Sequence, residues 1–333
     1  MLSCRQMRSI FWILGAAMVL AQPPQLLERH KPKRGVAFEF AAIGDQQYGT
    51  EGERKFPALR EAINKTKVAF VVHAGDVKSG ESPCSDAMFA GRVRDFNDFS
   101  MPLILTPGDN EWTDCHRKGA GGWDPLERLA HLRRSFYPDR KSFGKRKTML
   151  SRQSEDPAFA KFVENAMWSM GSTVFATIHV IGSQNNSGRT PSADAEFQER
   201  TAANRSWLKT TFAVARANGF SSVVVTMQAN PGWTGTPVPA SALRPGFRDT
   251  IGTLGEEALA YAKPVLIIMG DSHIFRIDQP LRTEQTKNTL ETLQRLEVPG
   301  NPQVHWVRVR IDPKMSSPFT FSYEPVRVNF LPH

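Results

Sequence analysis

An α/β fold of two packed sheets with helices outside is what this sequence predicts, and three observations carry it. Continuous aliphatic runs such as Val68–His73 read as strands buried on both faces. Amphipathic stretches such as Pro125–Tyr137, with Leu126, Leu129, Leu132 and Phe136 at helical spacing, alternate with those runs as in βα units. The tail, Val304–Ile311 and Phe319–Val328, alternates strand-like with no helix between, so an antiparallel run closes the chain.

In order, the remaining strands are expected at Val36–Ile43, Leu103–Thr106, Thr173–Ile181, Ser221–Met227 and Pro264–Met269. Helices are expected at Phe56–Lys65, Asp86–Phe99, Asp194–Ala217 and Glu256–Ala262, with Ser85 and Asp124 as N-caps. The Pro-rich, basic stretch 22–34 reads as an extended lead-in, and the charged stretch 138–157 as a surface excursion. Within it, Lys145-Arg146-Lys147 is either a solvated loop or a device that steers anions.

With 333 residues, 40% of them hydrophobic, the chain can build a sizeable core, which excludes wholesale disorder. A net charge of +9 favours anionic ligands weakly and does not argue for a specific nucleic-acid partner. Residues 1–21 read as a secretory signal, an uncleaved membrane anchor being the alternative: Arg5 and Arg8, then the apolar run Ile10–Ala21, too short to span a bilayer. Export to the periplasm or outside the cell is expected, with no membrane contact beyond the signal. Cys4 leaves with that segment. Cys84 and Cys115 then pair most simply as a disulfide, two free thiols being the alternative.

The chemistry lies in a repeated event: an apolar strand ends and Gly-Asp follows. It happens at Gly44-Asp45-Gln46-Gln47, Gly75-Asp76-Val77-Lys78-Ser79-Gly80, Gly108-Asp109-Asn110-Glu111 and Gly270-Asp271-Ser272-His273. In an open α/β sheet the carboxyl ends of the strands line one crevice where ligands bind. Carboxylates meeting there repel one another, and a bound divalent cation offsets the repulsion.

This ordered set resembles the calcineurin-like metallophosphoesterases over roughly residues 36–277. The resemblance implies an αββα sandwich of two mixed β-sheets flanked by helices, formed by a single domain over 35–333. It also implies a two-metal centre and hydrolysis of a phosphomonoester or phosphodiester by a metal-activated water. Asp76 would be the bridging carboxylate. The departures are at histidines: Gln47 stands for one, Asn110 for the one that assists the leaving group, and Asp271 for another, while His273 is kept. Asp109 replaces the ligand asparagine, unless a one-residue slip makes Asn110 the ligand. Gln228, or else Asn230, takes the place of the strand-end histidine.

The resemblance therefore implies one metal on Asp45, Gln47, Asp76 and His273, and another on Asp76, Asp109, Gln228 and Asp271. Oxygen donors favour Mg²⁺, Mn²⁺ or Ca²⁺ over Zn²⁺ or Fe. With Asn110 in the third motif, His116 is the nearest substitute proton donor, and Arg117 is placed to contact a phosphate of a small phosphorylated substrate; both are otherwise surface loop residues. Trp112, Trp123 and Trp233 either wall a pocket or fill the core, Asn185 or Asn186 either reaches the site edge or makes a turn, and His73 and His179 read as core histidines. The alternative function is a non-catalytic metal- or ligand-binding protein that keeps the fold.

Overall fold

A computed structural model describes residues 24–33 and 35–330, so the expected signal segment and Cys4 lie outside the described residues. Alternation along β1 (Phe38–Ile43) explains the layering. Phe40 and Ala42 face a cluster shared with the other sheet, while Ala41 and Ile43 face a cluster filled by helices. The first sheet continues with β2 (Val71–His73) and β3 (Leu103–Leu105), both parallel to β1. Helices α2 (Gly49–Asn64), α3 (Asp86–Asn97) and α4 (Pro125–Phe136) follow these strands and cover the outer face with Phe56, Leu59, Phe89, Phe96 and Leu132. Ser85 and Asp124 cap α3 and α4 by accepting backbone N–H groups, as expected.

The second sheet holds β4 (Ser151–Arg152), β5 (Ala166–Met170), β6 (Thr173–Thr177), β7 (Ser222–Thr226), β9 (Val265–Met269), β10 (Arg276–Asp278) and β12 (Leu293–Glu297). Its centre, β6, β7, β9 and β12, is parallel, and β4, β5 and β10 add antiparallel edges. Helices α6 (Pro191–Ala217) and α7 (Pro245–Tyr261) pack on its outer face through Trp207, Leu208, Phe212, Phe247, Ile251 and Leu254. A small ribbon joins β8 (Val238–Pro239) to β11 (Leu281–Arg282), and α5 (Gly182–Asn185) is a tight turn after β6. Strands β13 (Trp306–Ile311) and β14 (Phe319–Glu324) complete the first sheet as an antiparallel pair beside β1. The predicted class, two mixed sheets between helical layers, is the observed one.

Three expectations need correction. Residues 24–29 of the lead-in form helix α1 (Pro24–Arg29), because Leu26 finds an apolar seat in the cluster that includes Trp207. The stretch 138–157 is not all surface: Phe143 bridges Leu103 by two backbone hydrogen bonds, and Leu150 is buried. Helix α7 begins at Pro245, well before Glu256, since Phe247, Ile251 and Leu254 supply a buried stripe. Among the described residues no helix is long and apolar enough to cross a membrane.

Candidate active site

The register Ile43↔His73↔Leu105 brings β1, β2 and β3 to an end at one edge, and β7 and β9 end at the same edge of the facing sheet. Backbone hydrogen bonds then tie the loops together: Asp45 N to Gly75 O at 3.0 Å, and Gly270 N to Gln228 O at 3.1 Å. Asp45, Gln47, Asp76, Asp271 and His273 all adopt positive φ, between 53° and 77°. That left-handed backbone costs energy for side-chain-bearing residues and clusters at functional sites. Gly75, at φ +81°, leaves no room for a side chain, since a Cβ there would stand 2.7 Å from Gly108 N.

Asp76 is the hub. Its Oδ2 accepts from Tyr48 Oη at 2.8 Å, Asn110 Nδ2 at 2.9 Å and Gln228 Nε2 at 3.1 Å, and its Oδ1 accepts from Asn110 N at 3.1 Å. Gln228 Oε1 in turn accepts from Gly182 N at 2.6 Å. Asp109 Oδ2 accepts from Ser183 Oγ at 2.6 Å, and the same hydroxyl lies 3.1 Å from Asp114, which pairs with Arg117 at 2.8 Å. Asp271 N donates to both oxygens of Asp45, and Asp271 Oδ2 accepts from Asn230 N at 2.7 Å. Glu111 is buried and accepts from the backbone N–H of Gly108, Asp76 and Val77.

Burial pushes the Asp76 carboxyl well above the usual carboxylate range, and the charges of Asp109, Glu111, Asp45 and Asp271 push it further. Burial likewise raises Asp109, and it takes Glu111 and Asp271 up to about 7. Tyr48 is raised by burial and by Asp76. Lys78 is buried nearby, donates to Ser79 O at 2.7 Å, and is pushed down to about 8 by burial against the pull of Glu111 and Asp76. For His273 burial lowers the pKa, but the nearby Asp45 carboxylate outweighs it, so the imidazole is raised overall.

Of the residues singled out from sequence, Asp45, Asp76, Asp109, Asn110, Gln228, Asp271 and His273 enter this network. Gln47 does not join it by a hydrogen bond: its amide donates to Asp95 Oδ2 at 2.8 Å, and its Oε1 is buried without a partner. His116 is exposed, with Nδ1 against Thr113 O at 2.7 Å and Nε2 3.1 Å from Arg189 Nη2. Arg117 reaches the network only through Asp114 and Ser183. Trp112 and Trp233 are buried in the core, and Trp123 is 39% exposed beneath Arg128. Asn185 is buried and serves its own turn and Gly246 O.

Sequence reasoning missed Tyr48, Ser183 and the 300–301 loop, where Gly300 passes so close that a Cβ would meet Asp45 Cβ at 2.6 Å. The position of Tyr48, inside the first Gly-Asp loop, was the one available signal. A disulfide joins Cys84 to Cys115, with Cα atoms 5.7 Å apart, and ties the loops after Asp76 and Asp109 together.

No protein-family model matches the sequence, and no curated protein sequence matches it. Among solved structures, PhoD overlaps with a TM-score of 0.51 at 12% identity, covering 88% of this chain and 69% of PhoD. The fold is metallophosphoesterase-like. Two weaker overlaps each cover 87% of this chain. GAP50, the anchor in the inner membrane complex of Plasmodium, has a TM-score of 0.47 at 11% identity over 89% of its length. A novel phosphatase from Mycoplasma pneumoniae has 0.38 at 9% identity over 95% of its length. Identities this low speak to the fold alone, so the chemistry rests on the residues themselves.

A metallophosphoesterase-like fold implies divalent cations, and the donor set can be tested against them. His273 Nδ1 donates to Asn301 O at 2.7 Å, which fixes Nε2 as the unprotonated nitrogen of the neutral ring, 3.5 Å from Asp45 Oδ1. A ligating histidine is usually held in this way by a backbone carbonyl. Asp109 and Asp271 each use one oxygen for a protein donor and keep the other for something else. Against this, no three Asp, Glu, His or Cys side chains among the described residues stand together as a ready-made cation site. The donors fit a hard cation chemically, while the Asp76 oxygen is engaged by three protein groups.

Proposed function

We propose that this protein is an exported, metal-dependent phosphoesterase that hydrolyses a small phosphomonoester or phosphodiester. The observation that carries the reading is the burial of Asp76 and Asp109, with Asp45 and Asp271 close enough to raise the Asp76 pKa and Lys78 the one buried lysine beside the group among the described residues. Asp45 and His273, with Asp271, would hold one divalent cation, and Asp76, Asp109 and the carbonyl of Gln228 a second. Mg²⁺, Mn²⁺ and Ca²⁺ suit these oxygens better than Zn²⁺ or Fe. When bound, such ions supply Lewis acidity and lower the pKa of a coordinated water.

The chain's own residues do the positioning. Tyr48 and Asn110 hold the Asp76 carboxylate in one orientation by donating to the same oxygen. Arg117, anchored on Asp114, and Arg189, beside His116, offer guanidinium groups to the phosphoryl oxygens at the rim. His116, against Arg189, would supply the proton for the leaving group. The export assignment is supported by the apolar run Ile10–Ala21 and by the disulfide.

One observation favours a second reading, a binding protein without turnover: three donors already saturate Asp76 Oδ2, and Gln47 is turned to Asp95. The test is metal analysis of the purified protein, then hydrolysis of p-nitrophenyl phosphate and bis-p-nitrophenyl phosphate with Mg²⁺, Mn²⁺, Ca²⁺ or Zn²⁺. Hydrolysis that disappears in Asp76→Ala supports the enzyme. Tight cation binding without hydrolysis by the wild type supports the binder and overturns the enzyme.

A further inference from the structure

A cavity of about 620 Å³ opens at the end of the sandwich opposite the aspartates. Its walls include Phe70 and Pro102, which immediately precede β2 and β3, whereas Asp76 and Asp109 follow those strands. Its size suits a small organic ligand. Nothing in the proposed hydrolysis uses it.

The charge at its rim is only partly compensated. Arg29, Arg140, Arg146 and Lys147 line the cavity, and Glu155 is shared by the first two. Arg146 and Lys147 meet no carboxylate among the described residues. Arg146 has only Ala69 O, at 3.4 Å, and Lys147 only Asn97 Oδ1, at 3.0 Å. The floor is apolar instead. Phe70 and Trp168 meet edge to face with centroids 5.7 Å apart, and Met149 hangs beside them 56% exposed. A thioether on a flexible stem adapts to varied apolar shapes.

We propose that this cavity binds an amphipathic carboxylate, its head on Arg146 and Lys147 and its apolar body against Phe70, Met149 and Trp168. Cations alone would take any small anion, and rings alone any apolar body. The two together select a molecule that carries both. Helix α1 contributes Arg29 to the rim, so the segment expected to follow the signal helps to build the site.

The test is calorimetric titration of the intact protein with dodecanoate, with acetate and neutral dodecyl maltoside, below its micelle concentration, as competitors. Dodecanoate is expected to bind at one site, and neither competitor to displace it at equal concentration. Arg146→Glu/Lys147→Glu alters two exposed side chains and should weaken dodecanoate by about tenfold or more, with the unfolding midpoint and phosphoesterase activity unchanged. Met149→Asp should weaken it as well. The proposal falls if about 1 mM dodecanoate gives no binding, a fatty-acid affinity too weak to matter. It also falls if acetate or the maltoside competes equally, or if the double charge reversal leaves affinity unchanged. None of these results depends on whether the aspartate site hydrolyses anything.

Discussion

Glu111 offers a measurable consequence of crowding carboxylates. Its side chain is 1% exposed, and burial lifts its pKa from 4.5 to about 7. A raised carboxyl pKa means that the folded state holds the proton more tightly than the unfolded chain does. The stabilising contribution is therefore complete below about pH 4.5 and is lost as pH rises through about 7. A shift of that size corresponds to roughly 3 kcal/mol at ~1.4 kcal/mol per unit. Buried histidines such as His73 and His179 are lowered by burial and change stability in the opposite direction, so a single pH curve would blend the two.

The remedy is a difference: urea unfolding of wild type and Glu111→Gln, both in EDTA, from pH 4.5 to 8. Glutamine keeps an acceptor oxygen and removes the titration, while the histidine contributions cancel. Wild type should lose roughly 3 kcal/mol relative to the variant across that window. Saturating Mn²⁺ should shrink the difference, because a cation among Asp76 and Asp109 removes the repulsion that Asp109 exerts on Glu111. A difference that stays flat with pH, or that grows in favour of wild type, refutes the reasoning. It would mean that Lys78 holds Glu111 ionised.

Other outcomes follow from single features. Replacing both Cys84 and Cys115 by Ser opens a loop with a sequence separation of 31. Loop entropy puts the loss at roughly 4 kcal/mol, read as a lower urea midpoint, and an unchanged midpoint would contradict it. Gly75→Ala should cost at least about 2 kcal/mol, from positive φ and the approach to Gly108 N; stability equal to wild type would show that the turn can relax. Tyr48→Phe removes one donor from Asp76 and should lower stability by about 1–2 kcal/mol and hydrolysis by about tenfold, with full activity refuting its positioning role. His116→Ala should slow poor leaving groups more than activated esters. Equal rates for both would remove His116 from the reaction.

The legible parts of the sequence were those where one strong local signal coincides with the tertiary role. Val71–His73 and Val265–Met269 are apolar because both of their faces are covered, so their ends, and the Gly-Asp turns behind them, stood out. Strand β12 did not, because Leu293-Gln294-Arg295-Leu296-Glu297 carries charges inward, Arg295 pairing with Asp278 and Glu297. At the site, spacing says which loop a residue sits on and not which way it points. Positive φ at Asp45 and Gln47 breaks the usual alternation of side chains, leaving Gln47 turned to Asp95 and bringing Tyr48 to Asp76. The 300–301 loop over His273 arrives from the far end of the chain and carries no motif, so its carbonyl partner for Nδ1 could be found only in three dimensions.

The kind of donor around Asp76 bears on which function the site has. Tyr48, Asn110 and Gln228 are neutral, so they orient the carboxylate without cancelling its charge. A protein that needed only to bury Asp76 would do so more cheaply beside an arginine, as Glu164 is held by Arg133 elsewhere in this chain, where the pairing overcomes burial and lowers the carboxyl pKa. Around Asp76 the balance runs the other way, and the carboxyls stay high. The arrangement leaves the strand-end carboxyls holding protons when no cation is bound, at a cost to stability. A mobile cation recovers that cost when it binds, which is why proton release on adding Mn²⁺, measured in buffers of different ionisation enthalpy, should accompany binding near neutral pH. Binding without proton release would mean that the carboxyls are already ionised, and the case for a cation-dependent site would lose its physical basis.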